Sequence, residues 1–166
     1  MPFSVQPFVE KLQTRLDKEA PTYITHVEGG KNPEGENIEP VEWAAVWADA
    51  TMLGAEGLIP DNSKLQDGRD AMYEVLLQSH SSQMATPHAI MKQAYVTFAL
   101  EILDGFLPIA LAAPPGGEPP FESLDGLGYA SEDNKPWLQA CGNMLNTWFL
   151  SGTMVYVIGP TPMTWL

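Results

Sequence analysis

The chain of 166 residues contains one cysteine and only eight lysines and arginines, so it has little capacity for disulfides and few positive charges. The single Cys141 excludes an internal disulfide and a multi-cysteine zinc site, so nothing in the sequence indicates an oxidising compartment. The N-terminal residues lack the basic start and the apolar middle of a signal peptide, and we therefore expect no export.

Basic residues are outnumbered by 21 acidic ones, which gives a formal net charge of -13. A field of this sign repels phosphate backbones and anionic lipid, and it favours solubility at neutral pH. Direct binding to nucleic acid is therefore not expected. The exception would be an acidic mimic of DNA that occupies the site of a nucleic-acid-binding protein.

A clean apolar run of membrane-spanning length is also missing. Glu101 interrupts the apolar stretch before Pro108, and Pro108 should kink a helix there. Residues 136–166 carry no charge at all, but Gly152 and Pro160 break that segment. We therefore expect no membrane span.

The length and a hydrophobic content of 45% fit one domain, 1–166, with a sizeable core. Apolar residues recur at steps of three and four in five stretches, which predicts a mainly α fold of about five helices. The predicted helices cover roughly 4–20, 40–53, 63–80, 86–113 with a kink at Pro108, and 134–151. Pro40 and Pro87 suit first helical turns, and Ser63 starts a capping box with Gln66.

Three segments are predicted to lack helix. Residues 28–39, rich in Gly, Pro, Asn and Glu, should form an exposed loop. Residues 113–135 should form an irregular crossover because their prolines and glycines disfavour regular structure. Residues 153–166 are expected to be an extended C-terminal segment, in which "MVYVI" is typical of a short strand.

The histidines do not make a convincing metal site. His80 and His88 lie on either side of a predicted turn and could bind a metal with acidic help, but they lack H-E-x-x-H or H-x-H spacing. Together with His26, they are interpreted as solvated loop residues. No metal and no cofactor are predicted.

Catalytic residues are not predicted either. Asp67 and Asp70, like Glu101 and Asp104, could share a helix face as an acid–base pair, but charged helix faces are usually only solvated. Cys141 falls on the apolar stripe of the fifth helix, where packing is a better explanation than nucleophilic catalysis. An enzyme whose catalytic residues form no recognisable motif stays an open alternative.

The uncharged C-terminal segment favours burial, either within the domain or in an assembly. Depletion of charge with enrichment of aromatic residues and methionine is typical of interface cores as well as of folded cores. Trp165 has almost no chain after it to cover it, so it needs a groove in its own fold or in a neighbour. The predicted interface residues are Trp148, Phe149, Tyr156, Met163, Trp165 and Leu166.

The order "LPIALAAPPGGEPPFESL", "GYA", "WLQACGNMLNTWFLSGT" and "PTPMTW" in residues 107–166 resembles small virion structural proteins of tailed bacteriophages. In those proteins a Pro/Gly-rich crossover precedes a helix that ends in W-[FL]-x-[ST]-G, and a tryptophan lies near the terminus. The resemblance covers roughly a third of the chain. It implies a non-enzymatic part of the baseplate, tail or neck, located in the virion, with other virion proteins or copies of itself as partners. It brings no catalytic residues.

A second hypothesis is a soluble acidic inhibitor or DNA mimic that binds a host protein. It would use the seven acidic residues between Asn32 and Ser63, a stretch without a basic residue. The two hypotheses differ in the surface that contacts the partner. For the subunit it is apolar and aromatic and lies near the C-terminus, and for the mimic it consists of spaced carboxylates.

Overall fold

The fold is mainly helical, as predicted, and five α-helices form most of it. The computed structural model describes residues 3–15, 34, 36, 39–59, 62–78, 87–106, 110–125, 127, 135–156 and 162–164. The helices are α1 (Val5–Arg15), α2 (Pro40–Ala55), α3 (Ser63–Gln78), α4 (Pro87–Glu101) and α5 (Lys135–Phe149). Two 3₁₀ helices, Ile102–Phe106 and Phe121–Leu124, and three strands complete the described elements.

Helix starts follow the predicted signals. Pro40 and Pro87 are the first residues of α2 and α4, where a missing amide donor costs nothing. Ser63 is the first residue of α3, but the Gln66 side chain donates to Asp70 at 2.9 Å along the helix. That bond uses the amide nitrogen of Gln66, whereas a capping box uses its oxygen, so the capping box stays a prediction.

The helices pack largely in chain order. Contacts join α1 to α2, α2 to α3 and α3 to α4, and α1 also packs against α5. The largest fully buried side chains are aromatic: Trp43, Trp47, Tyr95, Phe8, Phe98, Phe106, Phe121 and Phe149. Trp43 and Trp47 lie side by side on α2 with ring centroids 6.5 Å apart, as their spacing of one turn predicts.

Glycines allow the closest approaches between elements. A Cβ at Gly142 of α5 would lie 2.6 Å from Val5 Cγ1 on α1, and one at Gly54 of α2 would lie 2.3 Å from the Phe3 ring. Phe3 is buried and stacks on Phe149, with centroids 5.4 Å apart. Phe3 is thereby held against both α2 and α5.

A small antiparallel sheet joins the crossover region to the C-terminal segment. Its strands are β1 (Ala110–Ala113), β2 (Thr153–Tyr156) and β3 (Pro162–Thr164), in the order β1-β2-β3. Ala113 pairs with Thr153 in β2, and Thr153 pairs with Thr164 in β3. The predicted strand in the C-terminal segment is confirmed.

Strand β1 corrects the prediction of a helix continuing to residue 113. The α-helix ends at Glu101 and tightens into a 3₁₀ turn through Phe106, and Pro108 cannot donate a helical hydrogen bond. Residues 110–113 instead pair with β2, a partner far along the chain that helical periodicity cannot reveal.

The described part of the crossover beyond β1, 114–125 and 127, is irregular apart from the turn Phe121–Leu124, and it is fixed to the end of α5. The Gly116 amide donates to Ser151 Oγ at 3.1 Å, and Trp148 Nε1 donates to the Gly117 carbonyl at 3.4 Å. The side chains of Phe121 and Leu124 are buried in the core. Residues 116–124 of the crossover are therefore held in two ways, by hydrogen bonds to the end of α5 and by side chains buried in the core.

The predicted exposed loop 28–39 falls mostly outside the described residues. Within it, Glu34, Glu36 and Glu39 are described and exposed. Among the described helices, none has the length and apolar character needed to cross a membrane.

Candidate functional site

An open cleft of about 690 Å³ lies between the first half of α4 and the crossover. Helix α4 contributes residues one turn apart, which share a face, and the crossover forms the opposite wall. The lining residues are His88, Ala89, Lys92, Gln93 and Val96 from α4, with Gly117, Glu118 and Glu122 from the crossover. Its size is within the usual range of ligand sites.

Lys92 is the cation of the cleft. Its ammonium group contacts the Glu122 carboxylate and lies 3.8 Å from Glu118, and its side chain is only 18% exposed. The hydrogen bond that Lys92 donates to Glu122 raises the pKa of Lys92, and the same hydrogen bond is the main reason that the pKa of Glu122 is lowered. Both groups are therefore held in their charged forms at neutral pH.

His88 forms a second link between α4 and the crossover. Its Nε2 lies 2.9 Å from Asp125 Oδ1, and the Asp125 side chain is 55% exposed. Together with the Lys92 contacts, this link ties α4 to the crossover at both ends of the 3₁₀ turn Phe121–Leu124. Two carboxylates, Glu118 and Glu122, lie at the one ammonium group, and Asp125 adds a third beside His88, so carboxylates outnumber lysine here.

Metal binding finds no support in the part of the chain that the structure describes, because no group of three or more His, Cys, Asp or Glu side chains could hold an ion there. His88 has one neighbouring carboxylate, Asp125. His26 and His80 lie outside the described residues.

Cys141 lies in the hydrophobic core. It is fully buried, and loss of solvent raises the pKa of its thiol far above the ordinary value. A thiol that resists ionisation is a poor nucleophile, which agrees with a packing role.

The carboxylate pairs behave as charged helix faces. Asp67 pairs with Lys64 at 3.1 Å, and Asp70 pairs with Arg69 at 3.0 Å; both carboxylates are more than half exposed. Glu101 and Asp104 are also exposed. Ion pairs of this kind need no catalytic explanation.

The predicted interface residues occupy three kinds of position. Trp148 and Phe149 are 5% and 0% exposed, so they belong to the protein's own core and offer almost no surface to a partner. Tyr156 is the last residue of β2, and Met163 is the middle residue of β3. Trp165 and Leu166 lie outside the described residues.

Sequence reasoning did not find the cleft, because Glu118 and Glu122 lie 26 and 30 residues beyond Lys92 in the numbering. One signal was present. Lys92 is the single basic residue between Arg69 and Lys135 in a strongly acidic chain, so a carboxylate partner could be expected for it.

Comparison with known proteins adds no relative. Neither the protein-family models, nor the curated proteins, nor the solved structures contain a match to this chain.

Proposed function

We propose that the protein is a non-enzymatic structural subunit of a multi-protein assembly, namely the virion of a tailed bacteriophage, in its baseplate, tail or neck. It acts by occupying a fixed place beside other virion proteins or copies of itself. It uses no cofactor, and it contacts neither nucleic acid nor membrane directly.

The observation that supports this proposal is that all three strands lie in segments without charged residues, although the protein has a net charge of -13. Strands β1, β2 and β3 come from residues 105–117 and 136–166, and neither segment contains Asp, Glu, Lys or Arg. Natural sheets usually protect their edge strands with charged residues, which discourage pairing with another chain. The edge strands β1 and β3 lack charged residues, and only their shortness and Pro162 limit pairing, so an uncharged edge is left that favours association with a neighbour.

The rest of the chain complements this surface. Its acidic residues repel other copies and keep free subunits soluble, so that association is directed to the uncharged region. The assignment to a virion rests on the resemblance of residues 107–166 to phage structural proteins, and these residues include all three strands.

The acidic inhibitor is the second candidate, and one observation favours it. Glu34, Glu36, Glu39 and Glu56 are exposed, as carboxylates that imitate phosphates must be. Against it, Asp49 is engaged by Arg69 at 2.8 Å and therefore serves the contact between α2 and α3.

The test compares one charge placed in the edge strand with the same charge elsewhere. We expect Thr164→Lys, in β3, to reduce incorporation into particles while the melting temperature stays unchanged, because a lysine on a sheet edge opposes pairing. Thr147→Lys, exposed on α5, is the matched control. Deleting residues 160–166 should likewise impair assembly more than it lowers the melting temperature.

Cross-linking mass spectrometry on the native source material identifies the neighbours. Links from the C-terminal region to particle proteins or to other copies would support the subunit. Links only from residues 32–63 to a host nucleic-acid enzyme would replace it with the inhibitor. If deletion of residues 160–166 reduced assembly and thermal stability equally, that segment would be part of the folded core and not an interface.

A further inference from the structure

The cleft between α4 and the crossover has features that fit a ligand of one kind. We propose that it binds an arginine side chain on an extended segment of another protein, with the guanidinium group held by Glu118 and Glu122 and the aliphatic stem lying along Ala89 and Val96. This inference goes beyond the structural role proposed above and does not depend on the uncharged sheet.

Charge selects the sign of the ligand. Two glutamates, Glu118 and Glu122, and one lysine, Lys92, line the cleft, Asp125 pairs with the lining residue His88, and the whole protein is strongly acidic. The long-range field therefore attracts a cationic partner and repels an anionic one.

Glu118 has the capacity to accept further hydrogen bonds. Its carboxylate is 3.8 Å from Lys92, beyond ordinary hydrogen-bond distance, and its side chain is 63% exposed. A carboxylate offers about four lone-pair positions, so Glu122 can also accept from a second donor while it contacts Lys92. The two side chains present adjacent acceptors at one wall of the cleft.

Geometry favours arginine over lysine. The guanidinium group carries five donors in a planar fork that can engage carboxylate oxygens in pairs, whereas an ammonium group is a compact point charge without that fork. Val96 is half-buried and Ala89 is exposed on the same face of α4, so they offer apolar surface to a methylene stem. The cleft volume of about 690 Å³ leaves room for the neighbouring backbone of the ligand.

The wall of the cleft is already in place before binding. Phe121 is fully buried, and the bonds from Gly116 to Ser151 and from Trp148 to Gly117 hold the crossover against α5. Little ordering is needed when a ligand enters, and this lowers the entropic cost of binding.

The test titrates the full-length protein with a blocked peptide, acetyl-Gly-Arg-Gly-Arg-Gly-amide, and follows backbone amide resonances by NMR at physiological ionic strength. We expect shifts at Ala89, Gln93 and Val96. Glu118→Gln should weaken binding about tenfold because one charged acceptor is lost. Lys92→Gln should tighten binding several-fold because both carboxylates lose their competing cation.

Two variants on α3 provide matched controls. Asp67→Asn and Lys64→Gln make the same changes of net charge at another exposed ion pair, and we expect little change in peptide affinity. The indole N–H resonance of Trp148 reports whether the crossover keeps its place in each variant, since that group donates to Gly117. Glu118→Gln is the variant least expected to disturb folding, because Glu118 is exposed and only loosely paired.

Three results would overturn the inference. If the α3 variants changed peptide affinity as much as the cleft variants, binding would reflect only the general attraction of a cationic peptide to an acidic protein. Equal affinity for spermidine, or for the same peptide with lysine in place of each arginine, would remove the selection for an arginine-bearing segment. Peptide-induced shifts away from the cleft would place the site elsewhere. Since none of these measurements involves the sheet, they leave the assembly proposal to its own test.

Discussion

The hydroxyl groups of Thr51 and Tyr95 lie 2.9 Å apart in the buried centre of the protein and join α2 to α4. Thr51 also donates to the Trp47 carbonyl at 2.9 Å. Because a threonine hydroxyl has one proton, Tyr95 must be the donor in the bond between the two side chains. The direction of this bond determines how each residue responds to substitution.

We expect Thr51→Val to cost more stability than Tyr95→Phe. Tyr95→Phe removes one buried hydrogen bond, a loss of about 1 kcal/mol, and leaves Thr51 bound to Trp47. Thr51→Val leaves the buried Tyr95 hydroxyl without its acceptor, a loss of about 1 to 3 kcal/mol. Urea unfolding of both variants and the double variant measures the difference. A smaller cost for Thr51→Val would contradict the assigned donor.

Alkaline pH should destabilise the protein through Cys141 and Tyr95. Burial raises the pKa of both groups in the folded state, so their protons are retained on folding but lost in the unfolded chain. Their stabilising contribution is complete below the ordinary thiol pKa of about 8.5 and declines above it, by about 1.4 kcal/mol per pH unit for each group. The tyrosine adds its decline above about pH 10.

Urea unfolding from neutral to alkaline pH measures this decline, and Cys141→Ala is the comparison. The variant should lack the first part of the decline and keep the second. The same thiol should resist a disulfide reagent in the native protein and react after unfolding. Fast native labelling at neutral pH would show that Cys141 is accessible.

Close packing of α1 on α5 makes Gly142 sensitive to one added methyl group. Gly142→Ala places a Cβ 2.6 Å from Val5 Cγ1, and we expect a net loss of about 1 to 2 kcal/mol after the gain in helix propensity. Val5→Ala removes the clashing atom. In that background the alanine at 142 should cost less or stabilise, and urea unfolding of the four proteins measures the coupling. Additive losses would place the strain elsewhere.

Lys92 should control the acidity of Glu122. Its hydrogen bond is the main cause of the lowered pKa of Glu122, so Lys92→Gln should return that pKa towards the ordinary value of about 4.3. The depressed pKa means that the contact supports the fold above the ordinary glutamate pKa and is lost as pH falls through the folded-state pKa. NMR titration of the Glu122 side chain measures the change, and Lys64→Gln is the control.

Local signals predicted the helices well, because their causes are local. Pro40 and Pro87 mark helix starts by their missing donors, and the spacing of Trp43 and Trp47 identifies one packed face. The irregular crossover followed from its prolines and glycines. Each of these features depends on residues within a few positions of one another.

Features made by distant residues were missed. Strand β1 exists because Ala113 meets Thr153, and the cleft exists because Lys92 meets Glu122. Burial of Trp148 depends on the crossover folding back to Gly117, so composition alone could not separate a core tryptophan from an interface one. Propensity and periodicity contain no information on which distant segments pair.

The packing of α1 against α5 has a consequence for folding on the ribosome. Helix α1, Val5–Arg15, emerges early and can meet α2, but α5, Lys135–Phe149, is synthesised more than a hundred residues later. Phe3 and Phe8 lack their contacts with Phe149 and Gly142 until α5 has been synthesised. The side of α1 that faces α5 is therefore an apolar surface that nascent chains expose until α5 has been synthesised.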